Sequence, residues 1–350
     1  MSAWHSLHLF YAQPDHADRL ALTCSDLLRA AGGRHDDWFF IRYAEGGAHL
    51  RIRLGPDLQP VHAQVRERLA QACAELAGEG PASEWVRGIG YPDRDGMIHA
   101  PGTLAEIAYV PEIRRYGGPH AMNAHEALFR LSTGIAVRAI ALTGGSAGAS
   151  SGTLAAADTH KRARLAVDLM LMTAAASDAC GLSPGTFFAV YGHGWKQGLF
   201  AEVPLPDGEV LSGDSVTARY EAHRAAVRAG TPPASLVGHW GAAVARTCET
   251  MRALAAEGRL SSPIHQRPPA DAREYSHALA GMLFSQMHMM NNRLGFAPQA
   301  EILWSEAIAR QFGGDDLPEG FTLDDFRLAL GMRGPSAEAL TRQAGSSPPD

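Results

Sequence analysis

Trp38–Tyr43 (WFFIRY), the turn Glu45-Gly46-Gly47 and Ala48–Leu54 (AHLRIRL) decide how the first part of the chain folds. Aromatic and β-branched residues crowd the first run, two glycines supply the turn, and the second run alternates polar with apolar side chains. The pair reads as a β-hairpin. With a period of two, His49, Arg51 and Arg53 share one face, while Leu50, Ile52 and Leu54 share the other and point into a core. Gly55-Pro56 ends the second strand. Upstream, Ser6–Ala12 (SLHLFYA) suits a strand, and Asp15–Ala31 sets Leu20, Leu22, Cys24, Leu27 and Leu28 at helical spacing before Gly32-Gly33. Downstream, Val61–Leu76 has helical spacing and Leu104–Val110 (LAEIAYV) reads as a strand. Strand, helix, strand, strand, helix, strand is the order of a split βαβ unit, with helices covering one face of a mostly antiparallel sheet.

After Pro119 the pattern turns helical. The spacing predicts helices over His120–Leu142, His160–Cys180, Pro184–Phe200, Ser215–Ala229, Ser235–Ala256, Ala272–Leu294 and Pro298–Phe312. Gly144–Gly152 (GGSAGASSG) is a small-residue loop, and the stretch from Ser336 reads as a frayed tail. The expected fold is α+β: a sheet subdomain over 1–118, a helical subdomain over 119–335 completing the same site, and a flexible tail over 336–350.

Composition excludes several classes. The 350 residues are 46% hydrophobic and 19% charged, ordinary for a folded chain and wrong for a disordered or collagenous one. A formal net charge of −6 argues against non-specific nucleic-acid binding. Lysine occurs only at Lys161 and Lys196, so the abundance of arginine reflects a coding bias rather than a function. Cys24, Cys73, Cys180 and Cys248 are widely spaced with no Cys-x-x-Cys pair, which reads as buried thiols in a reducing cytosol. No signal peptide and no long apolar run is present, so the protein is expected in the cytoplasm.

Two motif matches are set aside. Gly144-Gly145-Ser146-Ala147-Gly148 fits the G-x-S-x-G pattern, but its flanks lack the buried strand that a nucleophile elbow needs. The 16 histidines include no His-Glu-x-x-His, and His120 and His125 are badly spaced for one helix face, so no metal is expected.

Three elements carry chemistry. The first is the polar strand face of His49, Arg51 and Arg53, an alternation whose usual meaning on its own is a solvated face and which gains weight from the elements that follow. The second is Tyr109–Pro119 (YVPEIRRYGGP), where a strand runs into a charged, glycine-bracketed bend; Arg115 either serves a site or pairs with Glu112 as a structural connector. The third is Ser285–Gly295 (SQMHMMNNRLG), which sets Ser285, His288 and Asn292 on one helix face, with Arg293 beside them and Gly295 as a cap.

WFFIRY…HLRIRL, then PEIRRYGGP followed by HEALF, then SQMHMMNNRLG resemble, in order and separation, the thiopeptide-type bacteriocin biosynthesis family. That family is similar to the C-terminal, glutamate-eliminating domain of class I lantibiotic dehydratases, and the resemblance runs from Trp4 to about Phe312. It implies a stand-alone form, without the large portion that transfers glutamate from glutamyl-tRNA, and hence a separate glutamylating protein as partner. It also implies a precursor peptide of leader plus core as substrate, and no bound cofactor, membrane or direct nucleic-acid contact. The family's functional arginines correspond to Arg51, Arg53 and Arg115 and its histidine to His288; Ser285, Asn292, Arg293, Tyr116 and His49 are candidates for substrate binding.

Eliminating glutamate from a glutamylated Ser or Thr gives dehydroalanine or dehydrobutyrine, building charge on a peptide enolate and on the leaving carboxylate. Guanidiniums suit both charges, and histidine moves protons near neutrality. The same family holds pyridine synthases, which join two dehydroalanines in a formal [4+2] cycloaddition with loss of the leader. Retention of all three arginines favours elimination, whereas the residues beyond Phe312 have no counterpart in the shorter eliminating pattern. A third alternative is a non-catalytic scaffold that takes the leader peptide on an exposed strand edge.

Overall fold

Four strands form one antiparallel sheet: β1 (His5–Phe10), β2 (Trp38–Tyr43), β3 (His49–Leu54) and β4 (Leu104–Glu106), in the order β2-β3-β1-β4. The computed structural model describes residues 4–34, 37–93, 95–143, 156–178, 181–199, 213–231, 234–314 and 322–329. Gly144–Gly152, Cys180, Phe200 and the tail from Ser336 lie outside them.

Register gives the sheet two chemically unlike faces. Tyr43 stands opposite His49, Ile41 opposite Arg51 and Phe39 opposite Arg53, with Phe10, His8 and Ser6 of β1 continuing these rows. The other face presents Leu7, Leu9, Phe40, Leu50, Ile52 and Leu54, all buried. It is covered by α1 (His16–Ala30) and α2 (His62–Ala77). α1 contributes Leu20, Ala21, Cys24 and Leu28, and α2 contributes Val65, Leu69, Cys73 and Leu76. Both sets repeat every three to four residues, the stripe a core-facing helix needs, and each buried aliphatic side chain is worth about 1.5–3 kcal/mol.

Beyond a short α3 (Glu84–Ile89) the rest is helical: α4 (Met122–Leu142), α5 (Ala156–Ala176), α6 (Pro184–Leu199), α7 (Gly213–Arg228), α8 (Leu236–Ala256), α9 (Ala272–Leu294), α10 (Pro298–Gln311) and α11 (Leu323–Ala329). The fold is therefore α+β, with a small sheet followed by helices. α3 and α11 carry too few turns to show a periodicity, and α5 begins and ends earlier than the sequence spacing indicated. The last strand stops at Glu106 rather than Val110, because β1 supplies partners only as far as Glu106 and Tyr109 turns inward to donate to Glu126 of α4 at 3.2 Å.

α4 and α9 pack on β2 and seal its outer edge. The Phe40 amide donates to Thr133 Oγ1 at 3.2 Å, and the Asn292 side chain takes both backbone groups of Arg42, accepting from its amide at 2.9 Å and donating to its carbonyl at 3.0 Å. That edge is closed to a further strand. Asp18 of α1 binds Arg42 and, at 2.8 Å, Arg162 of α5, joining sheet, covering helix and helical part. The bend before α4 needs its glycines: Gly117 has φ +82°, and a Cβ there would lie 2.8 Å from Met282 Sδ and 2.9 Å from Leu260 Cδ1. Among the described residues no helix is long and apolar enough to cross a membrane.

Candidate active site

The polar sheet face forms one wall of a cleft of about 540 Å³, mouth included. Phe39, Ile41, Tyr43, Arg51 and Arg53 line it from β2 and β3, Tyr109, Val110, Glu112 and Tyr116 from the bend, and Phe129, Met289 and Arg293 from α4 and α9. Phe39, Tyr116, Met122, Phe129 and Met289 pack together as a small apolar cluster beneath it.

The charges are unbalanced. Three guanidiniums line the cleft against the single carboxylate of Glu112, which is itself bonded to Arg115 at 3.0 Å. Arg53 is 7% exposed, and its Nε and Nη1 have no hydrogen-bond partner among the described residues. Its guanidinium carbon stands 5.5 Å from the centre of the Tyr109 ring. Burial, reinforced by Arg51, pulls its pKa down to about 9. Arg293 is 1% exposed and, among the described residues, donates only to the Met289 carbonyl, at 2.9 Å; burial lowers it to about 10. Buried cations are normally paired, and both of these line the cleft.

Arg51 is held more tightly. It lies 3.4 Å over the Tyr43 ring, and its Nε–H donates to His49 Nε2 at 2.9 Å. His49 fixes this arrangement because its Nδ1–H donates to the Gly47 carbonyl at 2.7 Å, leaving Nε2 as acceptor. Burial keeps His49 neutral by lowering its pKa to about 3, and His8 stacks on it at 4.8 Å.

Arg115 occupies the junction between the bend and α9. Its Nε–H donates to Ser285 Oγ at 2.9 Å, and Ser285 in turn donates to the Gly281 carbonyl. The Arg115 charge acts on Tyr43 and Tyr116 at the cleft and also on Tyr191 of α6, outside it. His288 lies on that second side. It turns from α9 toward α6 and α10, where Nδ1 meets Glu301 Oε1 at 2.9 Å and the ring packs on Trp195 with centroids 4.6 Å apart.

The structure thus brings Arg51, Arg53, Arg293 and Tyr116 to one cleft, with His49 behind Arg51. Ser285 and Arg115 form a pair at its border, Asn292 is spent on the β2 backbone, and His288 does not line the cleft. Sequence reasoning missed Glu301, Tyr191 and Trp195, which lie on other helices from His288 and carry no motif. It passed over Tyr109 and Tyr43 although both stand in the quoted runs. Among the described residues no group of three or more His, Cys, Asp or Glu is placed to hold a metal.

Comparison with known proteins places this geometry. A pyridine synthase from thiomuracin biosynthesis, TbtD, has a similar structure: TM-score 0.56, 16% identity, 89% of this chain and 98% of that one. A second solved structure, TsrL, gives TM-score 0.53 and 18% identity over 95% of this chain and 99% of that one. The tRNA-dependent lantibiotic dehydratase MibB from Microbispora sp. 107891 gives TM-score 0.47 and 21% identity over 97% of this chain and 28% of that one. At these identities the likeness to TbtD and TsrL is one of fold. None of the curated proteins matches. The family described as "Lantibiotic biosynthesis dehydratase C-term" matches residues 4–312, and the chain belongs to that family.

Proposed function

We propose that this protein matures a ribosomally made precursor peptide, eliminating glutamate from glutamylated Ser or Thr to leave dehydroalanine or dehydrobutyrine. Family membership supports the broader part, a role in ribosomal-peptide maturation. The observation that carries the finer part is Arg53, which lines the cleft and whose buried Nε and Nη1 have no hydrogen-bond partner among the described residues. Leaving a buried charge uncompensated costs several kcal/mol, and an anionic ligand arm relieves it. A glutamyl group supplies such an arm.

In the reaction a base takes the Cα proton, its electron pair forms the Cα=Cβ bond, and the Cβ–O bond breaks to release glutamate as a carboxylate. Arg51, Arg53 and Arg115 serve the glutamyl carboxylates and the enolate, with Arg293 adding to the field; a single donor of this kind is worth about 10²–10³-fold. His288 moves the proton, a contribution of about 10²–10⁴-fold. Ser285 holds Arg115, His49 holds Arg51 and Asn292 holds β2. A separate protein using glutamyl-tRNA supplies the substrate, which puts the reaction in the cytoplasm, and no cofactor enters.

The second reading is a [4+2] pyridine synthase, supported by the nearly full-length likeness in fold to one such enzyme. That reaction expels no glutamate and gives Arg53 and Arg293, which have no ion-pair partner among the described residues, no anion to hold. Mass spectrometry decides between them. Purified protein is incubated with a glutamylated precursor and, separately, with one already bearing dehydroalanines. Loss of glutamic acid from the first supports elimination, leader loss with a new ring in the second supports cycloaddition, and binding without mass change leaves a scaffold.

A further inference from the structure

Glu301, in the first turn of α10, has 0% side-chain exposure, and the only ion-pair partner it has among the described residues is His288. A buried carboxylate is tolerated where both oxygens are occupied. Oε1 meets His288 Nδ1 at 2.9 Å, and Oε2 accepts from the Tyr191 hydroxyl of α6. The Trp195 ring lies edge-on to Tyr191 with centroids 6.3 Å apart and packs on the imidazole, and Phe326 of α11 stacks edge-on against Trp195 at 5.9 Å. Helices α6, α9 and α10 therefore meet at one carboxylate and one imidazole, with α11 behind Trp195.

A carboxylate only accepts, so Nδ1 carries the hydrogen and the lone pair of the neutral ring falls on Nε2. Nε2 has no hydrogen-bond partner among the described residues, and the side chain keeps 15% of its surface exposed. We propose that Glu301, backed by Tyr191, is the positioning residue that fixes His288 in its Nδ1–H tautomer and presents Nε2 to the substrate's Cα proton. The inference rests on His288 as the proton-transfer residue of the elimination proposed above.

The partners make the test specific. The Tyr191 hydroxyl donates to Glu301, since a carboxylate oxygen only accepts. In Glu301→Gln the one carbonyl oxygen goes to that hydroxyl, and the amide nitrogen then faces Nδ1. Nδ1 must become the acceptor, the ring hydrogen moves to Nε2, and the lone pair is lost. The double variant Glu301→Gln/Tyr191→Phe frees the amide to turn its oxygen back to Nδ1.

The experiment combines ¹⁵N NMR of the imidazoles, at alkaline pH in the full chain, with kinetics on a glutamylated precursor. Wild type is expected to show Nδ1–H for His288. Glu301→Gln is expected to show Nε2–H and a kcat lower by about 10²–10⁴-fold, with KM little changed. The double variant is expected to regain the first tautomer and most of the rate. A Glu301→Gln variant that keeps Nδ1–H, or that swaps tautomer at undiminished kcat, overturns the inference. Wild type that shows the tautomer and its swap but releases no glutamate overturns the assigned reaction and leaves the control of His288 by Glu301 standing.

Discussion

Asn292 and Arg42 are 250 residues apart in sequence, yet one side-chain amide satisfies both backbone groups of the other residue, at 2.9 and 3.0 Å. The Arg42 Nε–H also donates to the Asn292 carbonyl at 3.0 Å, so α9 and β2 are locked in register at the cleft border.

Asn292→Ala is therefore expected to lower stability by about 1–3 kcal/mol, since it orphans a part-buried donor and acceptor. Asn292→Asp does little better, because a carboxylate oxygen then faces the Arg42 carbonyl. Urea denaturation checks both, and an unchanged midpoint for the alanine variant would falsify this role.

Asp18 holds two arginines from different parts of the fold, and although burial alone raises a carboxyl pKa, Arg42 and Arg162 keep this one below its ordinary value. Removing one member of a buried ionic group leaves the others uncompensated, at about 3–5 kcal/mol. Asp18→Ala should lose that much in chemical denaturation. A loss under 1 kcal/mol, the scale of an exposed pair, would mean that water reaches Arg42 and Arg162 freely.

Arg53→Met makes the opposite prediction for stability. It removes a buried, unpartnered charge, so thermal stability is expected to hold or rise while glutamate release falls by about 10²-fold or more. Free glutamate should raise the melting temperature of wild type and not of Arg53→Met, an effect of about 2.7 kcal/mol at a hundred times Kd. Equal shifts in both proteins would place the anion elsewhere.

Buried histidines weaken the fold in acid. Burial lowers His125 and His49 from 6.5 to about 3 and His8, with help from His49 and Arg53, to about 2. Unfolded rings protonate below 6.5 while the folded ones stay neutral, so the unfolded state binds more protons and stability falls as pH drops from 6.5 toward 3. Each ring contributes a slope of up to about 1.4 kcal/mol per pH unit. His125→Phe should flatten the curve by one such increment between pH-matched denaturation series. An unaltered slope would mean that the ring titrates normally.

The sheet was legible because its signals are local. In HLRIRL the alternation assigns faces residue by residue, and Glu45-Gly46-Gly47 sets the hairpin. The helical part was legible as helices, but its packing was not, since partners such as α6 with α10 or α5 with α8 are chosen by shape between distant segments. The site divides in the same way. Arg51 and Arg53 follow from the strand period and Arg115 from its glycine-bracketed bend, whereas Arg293 at the cleft and His288 away from it depend on how α9 is rotated. Glu301 gave no signal at all: it is one of 37 acidic residues, and only burial against Tyr191 distinguishes it.

The cleft has one wall from β2 and β3 and another from α4, α9 and the Tyr109–Tyr116 bend. Neither wall encloses anything alone. Recombination that exchanged one wall between relatives would have to restore matching contacts across Asn292 and Asp18 before any chemistry returned, so the smallest inheritable unit of this site is the pair.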